Sequence, residues 1–447
     1  MTFSGRELAQ ATGGRLHADG TAGPLTTDTR RLAPGSWFLA LRGDRFDGHD
    51  FTAHAAAAGC AGIVVDTLPE GWDRAAVVVD DTLVALQDIG RYVRGGLRCP
   101  VIGITGSAGK TTTRAMVGEV LASLGRVHST EGNLNNHIGV PLTLLATPPE
   151  VDVLVLEMGM SAPREIELLQ DIGAPTFRLI TNVGIAHVEG TGSIEGVAAC
   201  KQELFDGARP GDTLLINIDD PFVARMPRPE GVSTLIYGSE AGVDVRLTHV
   251  SLDPVGLSTF VELEVRGERL VARIPSPGHH LALDACAAAA VGVALGVSLD
   301  EIAAGLSRYE PVGMRMRVEA VGPVTVLNDA YNANPASMKA ALRTLASIEG
   351  RRRIALLGDM LELGSIEGQA HDDVARFAAS LDLEVLGLCG PRMSAAAVEV
   401  EALRSPDSIA LGEAVAQAVR PGDVVLLKGS RGARMERLLQ FLSVEEA

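Results

Sequence analysis

Close cysteine pairs are missing from this chain. Its five cysteines, Cys60, Cys99, Cys200, Cys286 and Cys389, are scattered over 447 residues, which argues against a disulfide framework and a zinc site and leaves most of them as small core residues. No apolar run is long enough to span a bilayer, and Met1 to Gly13 lacks a basic segment followed by an apolar one. Membrane insertion and export are therefore not expected, and the cytoplasm is the expected location. No Lys/Arg tract offsets the net charge of -17, so binding of nucleic acid is disfavoured. A few backbone amides and one lysine can still bind a small phosphate ligand locally. Internal repeats and low-complexity tracts are absent as well.

What is present points to several globular domains. The length exceeds one ordinary core, and 46% hydrophobic with 21% charged residues is the balance of a folded soluble chain. The fold class expected is α/β in three domains. Residues 1–97 read as a small N-terminal α/β module, with β-type runs at Trp37 to Leu41, Ile63 to Asp66 and Val77 to Val79. The Gly95-Gly96 pair reads as a linker.

Residues 98–310 read as a central P-loop domain with a parallel sheet. The runs Val101 to Thr105, Val153 to Glu157, Leu179 to Val183 and Leu214 to Ile218 are nearly all apolar, as in strands covered on both faces. Alternating segments between 243 and 274 predict appended antiparallel strands, followed by a helix from about Leu281 to Leu295. Residues 311–447 read as a C-terminal Rossmann-like α/β domain, with strands near Val324 to Leu327, Ile354 to Leu357, Val385 to Leu388 and Val424 to Leu427. Ligands of parallel sheets bind beyond the C-terminal strand ends, so the polar residues there are the candidates.

The sharpest of these ends is Val101 to Thr105 followed by Gly106-Ser107-Ala108-Gly109-Lys110-Thr111-Thr112. A strand, a glycine loop and a helix starting near Lys110 form a phosphate cradle. Gly106 and Gly109 let backbone amides turn toward an anion, Lys110 supplies charge to the outer phosphates, and the Thr111 hydroxyl can hold magnesium. The longer form of the motif has a glycine where this chain has Ile104, so the match is to the Gly-x-x-Gly-Lys-Thr core. Glu157 closes its strand where P-loop proteins usually hold a metal with a carboxylate. His187 follows Leu179 to Val183, and a lone histidine is more often packed or solvated than a ligand. Lys201 is unremarkable by spacing.

Taken in order, these stretches resemble the Mur ligase family, and the similarity extends over all three expected domains. The shared core is Thr105-Gly106-x-x-Gly109-Lys110-Thr111-Thr112, Glu157 with Met158-Gly159, and Asn182 to His187 leading to Lys201. Asp329-Ala330-Tyr331-Asn332-Ala333-Asn334-Pro335, Leu357-Gly358-Asp359-Met360-Leu361-Glu362-Leu363-Gly364 and Lys428-Gly429-Ser430-Arg431 resemble the branch that adds D-alanyl-D-alanine. The Asp-Asn-Pro-Arg signature of the diaminopimelate-adding branch is absent. Thr27-Asp28-Thr29-Arg30 is similar to the nucleotide-sugar module of these branches. Where the family usually has two asparagines, this chain has His280 and Asp284, which leaves the adenine-side contacts unassigned.

The resemblance implies an ATP-dependent ligase that activates the carboxylate of UDP-N-acetylmuramoyl-tripeptide as an acyl phosphate and joins it to D-alanyl-D-alanine. It implies ATP on residues 106–112 with Asp329 and Asn332, and substrate on Thr27, Asp28, Thr29, Arg30, Asn334, Lys428 and Arg431. Magnesium is implied on Thr111, Glu157, His187 and Lys201, the last as a carbamate. Lys110, Glu157, His187 and Lys201 are the implied catalytic set, in a monomer that closes on its substrates. A folate-elongating ligase would share the central architecture but should lack the N-terminal module. A regulatory NTPase would explain the loop alone.

Overall fold

The computed structural model describes residues 1–443 except 44, 45, 187, 254 and 256. The chain divides into two compact units. The first holds Met1–Gly103, Leu124–Gly159 and Arg164–Phe177; the second holds Ile104–Ser123, Met160–Pro163 and everything from Arg178 onward. Among the described residues no helix is long and apolar enough to cross a membrane.

The first unit opens with a six-stranded sheet in the order Thr2–Phe3, Gly23–Thr26, Trp37–Leu39, Gly62–Val65, Ala76–Val78, Arg15–Ala18. Its inner strands are parallel and its two edges antiparallel. Trp37, Phe38, Leu39, Ile63, Val64 and Val65 are fully enclosed, so the short strands are held by burial rather than by length. Asp81 caps the helix Thr82–Gly96. The Gly95-Gly96 pair, expected as a linker, forms the last turn of this helix, and the chain becomes extended only at Leu97. The Arg94 side chain holds the carbonyls of Gly173 and Ala174, donating where a second helix, Glu165–Gly173, leaves its last carbonyls open. Val153–Glu157 lies parallel to Val127–Ser129 and is buried along its whole length.

The second unit contains two sheets. In one, Phe177–Ile180, Thr213–Asn217, Ser233–Gly238, Val245–Asp253, Ser258–Val265 and Glu268–Ile274 lie side by side in that order. From Thr213–Asn217 to Val245–Asp253 the pairing is parallel, and from there on it is antiparallel, as the change of pattern after residue 243 predicts. Lys110–Leu121, Leu281–Ala294 and Leu299–Arg308 pack on one another, and the alanines of Leu281–Ala294 let them approach closely because their side chains end at Cβ.

The strand expected at Leu179 to Val183 runs instead over Phe177–Ile180, with Thr181 to Val183 in the following loop. Its second residue, Arg178, is buried. The guanidinium donates to the carbonyls of Leu204 and Gly207, both at 2.8 Å, and to Asp212 at 3.2 Å. It thus satisfies the C-terminal end of the helix Ile194–Asp206, where a cation also meets the negative end of the helix dipole.

The other sheet of this unit has the order Arg317–Val321, Val324–Asp329, Val424–Lys428, Arg353–Gly358, Val385–Cys389, Leu403–Ser405. Only its first pair is antiparallel. Alternate residues of the central strands enter separate cores, Leu327, Leu357 and Leu426 on one face and Val326, Leu356 and Leu427 on the other. Both faces are covered, which is why these strands read as unbroken apolar runs.

Candidate active site

Gly106 and Gly109 are glycines for reasons of space and backbone. A Cβ on Gly106 would lie 1.8 Å from Thr181 Oγ1, and one on Gly109, whose φ is +79°, would lie 2.3 Å from Asp284 Oδ1. The loop between them is fastened to the segment after Phe177–Ile180. Ser107 N donates to the Asn182 carbonyl at 3.0 Å. Ser107 Oγ donates to the Gly184 carbonyl at 3.1 Å and accepts from Gly184 N at 2.8 Å. Asn182 holds the Ala108 peptide from both sides, its Oδ1 accepting from Ala108 N at 2.9 Å and its Nδ2 donating to Ala108 O at 3.1 Å. Thr181 Oγ1 donates to the same carbonyl at 2.6 Å.

With its crest pinned, the loop delivers the start of the helix Lys110–Leu121, whose first amides and dipole suit an anion. Lys110 Nζ curls back to donate to the Gly106 carbonyl at 2.6 Å, which holds its charge over the loop. Thr111 and Thr112 occupy the first helical turn and are buried.

Lys201 stands on the helix Ile194–Asp206, and only 1% of it is exposed. Burial, and then the nearby charge of Lys110, pushes its amine well below the usual lysine range. In the first unit, Glu157 ends its strand at 2% exposure. Its Oε1 accepts from Asn135 Nδ2 at 2.8 Å and its amide donates to Thr130 Oγ1 at 3.0 Å. Asn135 went unmarked in the sequence reading; its only signal was the run Asn133-Leu134-Asn135-Asn136. His187 lies outside the described residues. Among the described residues no three His, Cys, Asp or Glu side chains gather as a metal cage.

In the C-terminal sheet, Asp329 and Lys428 face each other at the ends of parallel strands. Lys428 Nζ donates to Asp329 Oδ2 at 2.5 Å and to the Asn332 carbonyl at 3.1 Å. The other Asp329 oxygen accepts from Met316 N at 3.1 Å. His280 belongs to this neighbourhood. Its Nδ1 is enclosed without a hydrogen-bond partner among the described residues, and burial pushes the ring down to about 4, with Asp329 opposing and Lys428 adding to the shift. Asn334 caps the helix Pro335–Ala346, its Oδ1 accepting from Ser337 N at 2.8 Å. Arg431 is largely exposed and pairs with Glu436 at 2.8 Å.

In the N-terminal sheet, Thr27 to Arg30 follow the strand Gly23–Thr26. Asp28 caps the turn Thr29–Arg31, and the Arg30 guanidinium beside it holds its carboxyl down at about 2. These two residues therefore form one preset polar pair rather than two independent contacts.

Comparison with known proteins gives this arrangement a family. The sequence matches the profile of the Mur ligase family, catalytic domain, over residues 24–89, the Mur ligase middle domain over 104–292, and the Mur ligase, glutamate ligase domain, over 314–431. It is 37% identical over 429 residues to the UDP-N-acetylmuramoyl-tripeptide--D-alanyl-D-alanine ligase of Bacillus subtilis (strain 168), covering 94% of this chain and 92% of that one. The crystal structure of MurF from Acinetobacter baumannii aligns with a TM-score of 0.91 at 32% identity over 99% of both chains. The MurF ligase from Thermotoga maritima in complex with ADP aligns with a TM-score of 0.85 at 28% identity, over 94% of this chain and 97% of that one. With three profiles matched in order and near-complete coverage of its relatives, the chain belongs to the Mur ligase family.

Proposed function

We propose that this protein is an ATP-dependent ligase that joins UDP-N-acetylmuramoyl-tripeptide to D-alanyl-D-alanine in the synthesis of peptidoglycan precursor. The observation that carries the reading is the pinned loop from Gly106 to Thr112, with Lys110 over it, in a chain related along nearly its whole length to proteins named for that reaction. Residues 1–97 would take the UDP-muramoyl substrate, with Thr27, Asp28, Thr29 and Arg30 as polar contacts. Residues 98–310 would bind ATP, and 311–447 would meet the nucleotide and the amine substrate.

A carboxylate is a poor acylating agent because its leaving group would be an oxide. The tripeptide carboxylate would attack the γ-phosphorus of ATP, releasing ADP and leaving an acyl phosphate. The dipeptide amine would then add to the acyl carbon, and the tetrahedral adduct would expel inorganic phosphate. Several anionic groups meet in the first step, so the chain's task is to hold them in line and to offset their charge. Lys110 and the open amides of Lys110–Leu121 do this for the outer phosphates. Asp329 and Asn332 would face the nucleotide from the C-terminal sheet, and Asn334, Lys428 and Arg431 would border the amine substrate. Exclusion of water would protect the acyl phosphate.

The hydroxyl and carboxylate donors of the set suit magnesium, which prefers hard oxygen ligands. Thr111 would offer a hydroxyl and Glu157 a carboxylate, with His187 and Lys201 completing the set. Bound magnesium would neutralise phosphate charge. A protonated lysine would repel that ion. Lys201, buried and held toward its neutral form, is suited to add carbon dioxide and become a carbamate with the charge of a carboxylate.

The test is ligation with UDP-N-acetylmuramoyl-tripeptide, ATP, magnesium and a panel of amines, read by mass spectrometry. ADP release should require tripeptide and dipeptide together. Preference for a free amino acid over D-alanyl-D-alanine would overturn the assignment.

A further inference from the structure

Asp284 sits in the first turn of Leu281–Ala294 and is 8% exposed. It is packed directly behind the phosphate loop, so close to Gly109 that no side chain fits there. Its Oδ1 accepts from Thr113 Oγ1 at 3.0 Å, and that threonine's amide in turn donates to the Gly109 carbonyl at 2.8 Å. Asp284, Thr113 and Gly109 thus form a small circuit at the N-terminus of Lys110–Leu121. The ends of two helices favour an anion at this point, and in the free protein the carboxylate can be that anion. A polyphosphate on the loop would bring several negative charges to the same amides.

We propose that Asp284 is a positioning residue of the nucleotide site that acts as a neutral carboxyl, and that seating a polyphosphate on the loop draws a proton onto it. This rests on the reading that residues 106–112 take a nucleotide. Protonated, Asp284 keeps its acceptor for Thr113 and removes a negative charge from behind the phosphates, where enclosure in protein would make repulsion strong.

The surroundings support a proton-accepting role. Packed against Leu281–Ala294 are Lys110–Leu121, Leu299–Arg308 and the strands Thr213–Asn217, Ser233–Gly238, Val245–Asp253 and Ser258–Val265. From these elements the Thr113 hydroxyl bonds Asp284, and the Asp284 charge also reaches Tyr237 on Ser233–Gly238 and Tyr309 just past Leu299–Arg308. Burial holds both phenols in their neutral form, and Asp219 and Asp220 add to that effect at Tyr237. The Thr113 hydroxyl is the hydrogen-bond donor to the Asp284 carboxyl. Burial pushes its carboxyl up to about 7 and the Thr113 hydrogen bond only partly opposes this.

The experiment titrates magnesium ADP into the full chain by calorimetry from pH 6 to 9, in pairs of buffers with different ionisation heats. Wild type should take up protons on binding, and its affinity should fall by up to about tenfold per pH unit above the Asp284 midpoint. Asp284→Asn should still bind but lose that slope and its share of the proton uptake, which also subtracts the ionisation of ADP itself. Thr113→Val removes the O–H that favours the ionised carboxylate, so it should move the break to higher pH. Should Asp284→Asn fail to fold, Thr113→Val carries the test alone. Identical uptake and slope in wild type and Asp284→Asn, or an unmoved break in Thr113→Val, overturns the inference and leaves the nucleotide reading standing. No binding of magnesium ADP by wild type at any pH overturns both.

Discussion

Lys428 and Asp329, 99 residues apart in sequence, meet at the ends of adjacent parallel strands as an ion pair with the lysine 3% and the aspartate 15% exposed in their side chains. Removing one partner of such a pair leaves a buried charge uncompensated. Lys428→Met should therefore destabilise the C-terminal sheet by about 3 kcal/mol, and the double variant with Asp329→Leu should recover much of that loss. Urea unfolding of the three proteins measures it; an additive double variant would show that the pair is not coupled.

Lys110→Ala should lower kcat by at least about a hundredfold, the order seen when one charge-stabilising group is removed from an active site. Its far-ultraviolet circular dichroism should match wild type, because the side chain's hydrogen bond to the Gly106 carbonyl stays within the loop and holds no helix or strand in place.

Asn182→Ala removes both side-chain hydrogen bonds to the Ala108 peptide. The crest of the loop should loosen, weakening ADP binding by roughly tenfold and stability by about 1–2 kcal/mol. Calorimetric titration and thermal unfolding read the two effects separately.

Lys201→Ala should lose turnover and regain part of it with added acetate or formate, which would supply the missing carboxylate group. Wild type grown or incubated with labelled bicarbonate should show a carbamate carbon by nuclear magnetic resonance. Normal folding with neither rescue nor signal would remove the carbamate from the proposed mechanism.

Asp284 also makes stability depend on pH. Its folded midpoint of about 7 lies above the ordinary carboxylate value of 3.8, so between these limits the folded chain holds a proton that the unfolded chain has lost. Stability should then fall as pH rises through this window and level off above it, at about 1.4 kcal/mol per pH unit. Asp284→Asn should match wild type near pH 4 and exceed it by a few kcal/mol at pH 8, measured by urea unfolding.

Much of this was legible in the sequence where burial is simple. Val101–Thr105 and Val153–Glu157 fall on their expected residues because strands covered on both faces leave unbroken apolar runs. Phe177–Ile180 was misplaced because its buried Arg178 looks like a strand boundary until its partners in Ile194–Asp206 are known. Gly95-Gly96 could be a linker or a helix end, and the packing of Arg94 decides for the helix. The loop from Gly106 to Thr112 was readable because its neighbours in sequence are its neighbours in space. Asn135, and the contacts of Asn182 and Asp284, were not, since each acts on a segment that only folding brings to it.

Arg178 has a mechanical consequence for chemistry on the helix it holds. By gripping the last carbonyls of Ile194–Asp206, it turns that helix into a strut clamped at its base, with Lys201 about one and a half turns from the clamp. An amine on so stiff a mount cannot swing out to water to recover its solvation, so whatever charge it carries must be settled in place.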